Sequence, residues 1–296
     1  MGLVVKEIIK IAENRLAEAG VASPKVDAEL LFRHVMNMDK VKYFMSWGTQ
    51  IGDNACENYF QVLDVRCSGV PLQYITGHQE FMGFDFKVTR DVLIPRQDTE
   101  VLVSEVIALA NGESTYVDAA NVRKVKKVLD LCTGSGAIAV SIAKLLRSAE
   151  VTASDISEGA LSVARENARE NEAKVEFEQG DLFAPFKRKI GSVKFDLIVS
   201  NPPYIKSEDI EGLMVEVKDH EPRLALDGGG DGLDFYKRII EEAPRHLRKK
   251  GALALEIGCD QAEDILALAA AQSVYHTPVI IKDLAGLDRV ALLVLK

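Results

Sequence analysis

The stretch "VLDLCTGSGAIAVSIAK", residues 128–144, decides the fold. A short apolar run from Val128 to Leu131 stops at Cys132-Thr133-Gly134-Ser135-Gly136, and a helix-forming segment follows at once. Strand, glycine turn and helix open an α/β unit whose ligand sits beyond the carboxyl end of the strand. The glycines let backbone pass close to a ligand, and the start of the helix offers unpaired N–H groups. Downstream the same texture continues. Strands are expected at 127–132, 150–155, 174–179, 194–200, 251–257, 277–282 and 289–295, and helices near 136–147, 157–170, 234–249 and 260–271. This alternation predicts a mainly parallel sheet covered by helices on both faces. The last two strands are joined by "DLAGLD" alone, so they pair antiparallel and the sheet finishes in one reversed strand.

Upstream the apolar spacing is helical, with Val4, Ile8, Ile11 and Leu16, then Ala28, Leu31 and Val35. Ser23 followed by Pro24 reads as an N-cap and a first-turn proline. The expected organisation is a helical domain over 1–75, a linker with a β-hairpin over 76–95, and the sheet domain over 96–296. Gly77, Gly83 and Asp91 punctuate the linker, and a helix is expected from about Gln97 to Leu109. The N-terminal segment reads as an amphipathic helix rather than a signal peptide. Gly2 does not begin a myristoylation motif, because Lys6 stands where Ser or Thr is needed.

Composition narrows the class. The chain has 296 residues, 47% hydrophobic and 27% charged, which suits two globular domains with a sizeable core. No apolar run approaches the ~20 residues a membrane span requires. Cys56, Cys67, Cys132 and Cys259 are scattered, which points to a reducing, cytoplasmic setting. A net charge of −9 argues against a broad basic footprint for nucleic acid. The histidines at 34, 78, 220, 246 and 276 show no ligand spacing, so no metal site is expected. "RHLRKK", residues 245–250, reads as a solvated basic end of a helix.

Two segments carry chemistry. Asp155 ends the strand "VTASDIS" nineteen residues after Gly136, where a carboxylate can accept hydrogen bonds from both hydroxyls of a ribose. Asp130, just before the glycines, can help orient the turn. The second segment is "FDLIVSNPPYI", residues 195–205, in which a buried strand ends in a stiff Asn-Pro-Pro-Tyr turn. The Asn201 side-chain oxygen and the Pro202 carbonyl can act as two fixed acceptors, which suits a planar NH2 group with its two donors. Tyr204 offers a flat face to pack against that group. Such a nitrogen is a poor nucleophile because its lone pair is delocalised. Rigid acceptors favour loss of planarity and stabilise developing positive charge, while aiming the lone pair at an electrophile.

Gly134, Gly136, Asp155 and Asn201-Pro202-Pro203-Tyr204 together resemble the class I, Rossmann-like S-adenosylmethionine-dependent methyltransferases that modify planar NH2 groups. "GVPLQYITGHQEFMGFDF", "LIPRQDTEVLV" and "EPRLALDGGGDGLDFY" resemble the HemK/PrmC family more narrowly. That resemblance implies methylation of the side-chain amide (N5) of a glutamine, in the Gly-Gly-Gln motif of class I peptide chain release factors. It implies S-adenosyl-L-methionine as methyl donor, with S-adenosyl-L-homocysteine as product. It places cofactor contacts on the turn from Cys132 through Thr133, Gly134 and Ser135 to Gly136, on Asp155 and on Leu182, and extends them to Asn201. The substrate amide falls on Asn201, Pro202, Pro203 and Tyr204, and the helical domain becomes the surface for substrate recognition. Cys132 departs from the family pattern, standing where a first glycine is common. Arg96 and Glu100 match a family signature near the site and are read either as site-shaping or as an internal ion pair.

Two other functions compete. A methyltransferase of exocyclic amines of adenine or guanine would use the same acceptor pair on a flipped base. A nucleotide-binding module or NAD-dependent enzyme would use the glycine turn, since "GSGAIA" also fits the relaxed dinucleotide pattern. Acidic balance counts against the first, and the second lacks a recognisable hydride-transfer site. The expected protein is a cytoplasmic monomer with no membrane and no direct nucleic-acid contact.

Overall fold

The computed structural model describes residues 3–187 and 194–296, so the reading of Gly2 lies outside the described residues. Two compact units are present: residues up to His78 with Met214–His220, and Gln79–Leu213 with Glu221–Lys296.

The first unit is helical. It contains α1 (Val5–Glu18), α2 (Pro24–Val35), α3 (Lys40–Met45), α4 (Asp53–Cys67) and α5 (Leu72–Thr76). Ser23 is the residue before α2, and Pro24 occupies its first position. Ile8, Leu16, Leu31, Phe32, Tyr43 and Tyr59 form its core. Ile11, expected in that core, is 39% exposed. Val4 caps α1 rather than belonging to it, and the buried stripe runs through Val5, Ile8, Ile9, Ala12 and Leu16 instead. One buried cation lies in this unit. Arg66 donates to Asp27 at 2.7 Å, to Glu216 at 2.7 Å and to the Val70 carbonyl at 3.1 Å. A buried guanidinium needs such partners to offset its lost hydration.

The second unit takes in the hairpin of β1 (His78–Phe81) and β2 (Phe84–Lys87) from Gln79 onward, and then α6 (Thr99–Asn111). Its sheet strands are β3 (Lys127–Leu131), β4 (Glu150–Asp155), β5 (Val175–Gln179), β6 (Phe195–Ser200), β7 (Leu247–Glu256), β8 (Val279–Lys282) and β9 (Asp288–Val294). Between them run α7 (Ala137–Leu145), α8 (Glu158–Glu170), α10 (Asp234–His246) and α11 (Ala262–Ala271); the short α9 (Val215–Lys218) belongs to the helical unit. The seven-stranded order is β5-β4-β3-β6-β7-β9-β8. All pairs are parallel except those of β9, which runs against both β7 and β8. The reversed last strand is as expected, and the structure adds that it inserts between β7 and β8 rather than lying at the edge.

Successive residues of each strand point to opposite faces, so each strand feeds two cores. Val128, Leu197 and Ala252 pack with Leu102 of α6 and Ile142 of α7. Leu129, Ile198 and Leu253 pack with Ile239 of α10 and Ile265 of α11. The chain places β4 and β5 on one side of β3 and returns to its other side with β6. Such a switch point opens a crevice beyond the strand ends.

"RHLRKK" differs from expectation. α10 ends at His246, and Leu247 begins β7. His246 is buried and stacks on Phe183 at a centroid distance of 4.6 Å. Arg248 donates to Asp196 at 3.1 Å, a carboxylate that also accepts Arg123 Nε at 2.7 Å and the Lys126 and Lys127 N–H groups. A fully buried carboxylate at the start of β6 demands these donors, so part of the basic run is structural rather than solvated.

Candidate active site

A cavity of about 370 Å³ lies beyond the carboxyl ends of β3, β4 and β6. The sheet register explains how its chemistry is assembled. Leu131 pairs with Ser154 on one side and Ser200 on the other, and Ser200 pairs with Leu255. The next residue on each strand is therefore Asp155, Cys132, Asn201 or Glu256. Asp155, Asn201 and Glu256, with the thiol of Cys132 among them, thus stand in one row across four parallel strand ends. Ser200 Oγ donates to the Leu131 carbonyl at 2.8 Å, fastening the two central ends together.

The cofactor side is built on backbone conformation. Cys132 and Gly134 have φ of 57° and 54°, and a Cβ on Gly134 would meet nothing within 4 Å. Its open side belongs to the cavity. Gly136 serves packing instead, since a Cβ there would come within 3.0 Å of Ala164 Cβ on α8. Asp155 Oδ2 accepts the Gly134 N–H at 2.9 Å, and Oδ1 accepts the Ser157 N–H at 2.9 Å. Each oxygen keeps a further lone pair for a ligand. Burial pushes this carboxyl up, opposed by the backbone donors. The N-cap of α8 is Ser157, which accepts the Ala160 N–H, so capping does not account for Asp155. Asp130 is fully buried, accepts the Thr133 hydroxyl at 2.6 Å, and is pushed up to about 7 by burial. It holds the turn from beneath. Leu182, at φ 47°, lines the far wall beside Asp181, whose carboxylate takes Arg238 at 2.5 Å.

The acceptor side is the Asn-Pro-Pro-Tyr turn. Asn201 and Pro203 line the cavity. Asn201 Nδ2 donates to Thr99 Oγ1 at 3.3 Å, which leaves Oδ1 as the free end of the amide. Neither Asn201 Oδ1 nor the Pro202 carbonyl accepts a hydrogen bond from a described residue. Pro202 and Tyr204 are not among the lining residues. The Tyr204 hydroxyl turns to Glu256 Oε1 at 3.4 Å, and burial raises its pKa.

The "DGGGDGLDF" loop, silent in sequence, clamps this turn from behind. The Gly228 N–H donates to the Ile205 carbonyl at 2.8 Å, and Ile205 N–H donates to the Leu226 carbonyl at 3.0 Å. A Cβ on Gly228 would lie 2.7 Å from Tyr204 Cα, so only glycine allows this approach. Gln261 Nε2 donates to the Tyr204 carbonyl at 3.1 Å. Arg96 lines the cavity and pairs with buried Glu221, not with Glu100; Glu100 accepts the Met82 N–H of the hairpin turn at 2.7 Å. Both residues thus order the segment beside the site. Reading in one dimension missed Thr99, Glu256, Asn167 and the 90–93 wall. Asn167 donates to the Ser135 carbonyl at 2.8 Å and accepts the Lys87 N–H at 2.7 Å, tying the hairpin to the glycine turn. Its one signal was a buried amide on the apolar face of α8.

Fold and cavity define a Rossmann-like methyltransferase. Residues 7–77 match the PrmC N-terminal domain and residues 109–231 the methyltransferase small domain. Relatives called release factor glutamine methyltransferase occur in Moorella thermoacetica, at 42% identity over 97% of both chains, and in Clostridium acetobutylicum, at 39% over 98% of both. A third, in Geobacter sulfurreducens, is 40% identical over 89% of this chain and 87% of its own. The chain belongs to the release factor glutamine methyltransferase family. Among solved structures, a methyltransferase from Pyrococcus furiosus shares the fold at 22% identity and TM-score 0.50, over 73% of this chain and 90% of that one. The 16S rRNA N2 G1207 methyltransferase of T. thermophilus does so at 16% and 0.51, over 74% and 50%.

Proposed function

We propose that this protein transfers a methyl group from S-adenosyl-L-methionine to the side-chain nitrogen of the glutamine in the Gly-Gly-Gln motif of class I peptide chain release factors. The observation that carries the reading is the unengaged Asn201 Oδ1, on a residue that lines a cavity floored by the glycine turn and Asp155, with the unengaged Pro202 carbonyl one residue further along the turn. Near-full-length similarity to proteins of that name supports the glutamine.

The residues fit the cofactor. Asp155 has lone pairs left for two ribose hydroxyls, and Gly134 presents a side with no atom in the way. S-adenosylmethionine, when bound, supplies an electrophilic methyl group on a sulfonium sulfur. The rest falls to the chain. Asn201 and Pro202 hold both N–H bonds of the acceptor amide and aim its lone pair. Their dipoles also stabilise the positive charge that grows on nitrogen before a proton leaves. The clamp of Gly228 and Gln261 on Tyr204 keeps the acceptors from relaxing. A glutamine flanked by glycines enters such a site without bulky neighbours, and recognition beyond it falls to the helical unit. No helix among the described residues is long and apolar enough to cross a membrane. The reading places the protein in the cytoplasm as a monomer.

The test offers purified release factor, its Gly-Gly-Ala variant, DNA and RNA to the enzyme with labelled S-adenosylmethionine. Label is expected on the release factor alone. Asn201→Ala should cut turnover about 10²-fold, as loss of a preorganised polar partner does, with little change in cofactor affinity by calorimetry. Label on nucleic acid would overturn the reading in favour of an exocyclic-amine substrate, and equal label on the Ala variant would overturn it in favour of a different site on the release factor.

A further inference from the structure

Arg96 lines the cavity with most of its hydrogen-bonding capacity uncommitted. It stands in "IPRQDTE", residues 94–100, and its main-chain carbonyl accepts the N–H of Thr99, the first residue of α6, at 3.1 Å. Thr99 in turn receives Asn201 Nδ2 on its Oγ1 at 3.3 Å. One tight turn therefore carries both the arginine and the residue that holds the Asn201 amide. Arg96, Thr99, Asn201 and Pro203 all face the same cavity.

The arginine side chain is anchored at one corner. Arg96 Nη2 donates to Glu221 Oε1, and Glu221 Oε2 accepts the Ile94 N–H at 3.4 Å. The Glu221 side chain is 1% exposed and that of Arg96 41%. A carboxylate buried to that degree demands charged or N–H donors. The guanidinium, for its part, carries five N–H donors in a planar fork and accepts nothing. Among the described residues only the Nη2 bond to Glu221 is made. The other donors belong to a fork that is fixed in place, partly exposed and turned to the cavity.

Charge narrows what such a fork can take. Arg96 and Glu221 are neutral as a pair, so an anionic ligand meets the buried carboxylate as well as the guanidinium. A carbonyl oxygen accepts the donors without that repulsion. The segment that brings a glutamine to Asn201 supplies such oxygens. Two glycines precede the glutamine, and with no side chains they offer only their main chain for recognition. We propose that Arg96 is a substrate-binding residue that donates to main-chain carbonyls of these glycines while Asn201 and Pro202 take the side-chain amide, an inference that rests on the glutamine reading above. Glu221 is then a positioning residue that keeps the fork aimed. A nucleotide brought to the same site would carry phosphates, which the neutral pair does not favour.

The experiment compares wild type with Arg96→Lys and Arg96→Gln, measuring kcat and KM on release factor and cofactor affinity by calorimetry. Lysine keeps the charge and a partner for Glu221 but has no planar fork to share between two ligands. Both variants should raise KM for release factor by about 10-fold or more. That loss should exceed any in kcat, because the glycine carbonyls are the same before and during methyl transfer. Affinity for S-adenosylmethionine should stay within about twofold. A wild-type KM in Arg96→Lys overturns the proposal, since the ion pair alone would then account for Arg96. A parallel loss of cofactor affinity also overturns it, and would assign the fork to the carboxylate of the cofactor's methionine. Arg96→Gln leaves Glu221 buried without its cation; if that variant does not fold, Arg96→Lys decides by itself. The glutamine reading fails separately: wild type would then label no release factor, or label the Gly-Gly-Ala variant equally, and the proposal falls with it.

Discussion

Cys132 shows what a single backbone angle contributes. It stands at φ 57°, in the left-handed region, which costs a side-chain-bearing residue about 1–2 kcal/mol. This accounts physically for the glycine common at this position in the family that the sequence resembles. Its thiol is packed against the second core and lines the cavity, and burial raises its pKa. Cys132→Gly should therefore be more stable than Cys132→Ala by about 1 kcal/mol, the reverse of the usual order, because both remove the thiol, glycine gives up only the Cβ beyond that, and glycine alone relieves the angle. Urea denaturation of the two variants checks this. An alanine variant as stable as the glycine one would mean that the angle carries no strain.

At the scale of elements, the turn after β6 is rigid because a second loop presses on it. Two prolines restrict φ along the turn, yet its position depends on backbone contact from Gly228 and on the bond from Gln261. In Gly228→Ala, a Cβ 2.7 Å from Tyr204 Cα and 2.9 Å from the Pro203 carbonyl must displace main chain. A shift of about 1 Å in a positioning element can cost about 10²-fold in rate. We expect kcat to fall by that order while calorimetric affinity for S-adenosylmethionine stays near wild type, because the glycine turn after β3 and Asp155 at the end of β4 are untouched. Loss of cofactor affinity in parallel with kcat would show that the loop supports the whole cavity rather than the acceptor turn.

Across the whole molecule, two carboxyls are buried beneath the site, Asp130 and Glu256, each pushed up to about 7. Their folded values lie above their unfolded ones, so the unfolded chain releases these protons first as pH rises. Their contribution to stability is full below the unfolded pKa, about 4 for such carboxyls, and is lost as pH climbs toward 7. Glu256→Gln removes one of them. Its stability relative to wild type should improve between about pH 5 and about pH 8 by on the order of 3 kcal/mol, at 1.36 kcal/mol for each unit between folded and unfolded values. Denaturant midpoints at the two pH values provide the measurement, and a gap that does not change would mean that the carboxyl is not held neutral. The site thus retains a destabilising pair, as binding sites built from buried polar groups do.

Much was legible in one dimension because it depends on local rules. Apolar periodicity located all seven sheet strands, and the short 283–288 connection made β9 antiparallel. Glycine and proline chemistry marked both turns. Asp155 and Asn201 reach the cavity from positions chosen by pattern, and Cys132 and Leu182 from positions that the family resemblance implied. What pattern does not contain is strand order. Whether β9 lies at the edge or between β7 and β8 leaves no mark on local periodicity, since either place buries the same apolar faces. Glu256 fell inside an expected strand and Thr99 inside an expected helix, and neither drew notice. Only the register that sets Glu256 one strand away from Asn201, with α6 packed behind them, brings Thr99 to Asn201 and Glu256 to Tyr204. The sequence by itself determined the class of cavity and its two chemical halves, because turns and caps are properties of neighbouring residues. Tertiary structure decided which amide end faces that cavity, because the hydrogen bond that orients Asn201 is made to Thr99, about a hundred positions away, and exists only once α6 is packed against the strand ends.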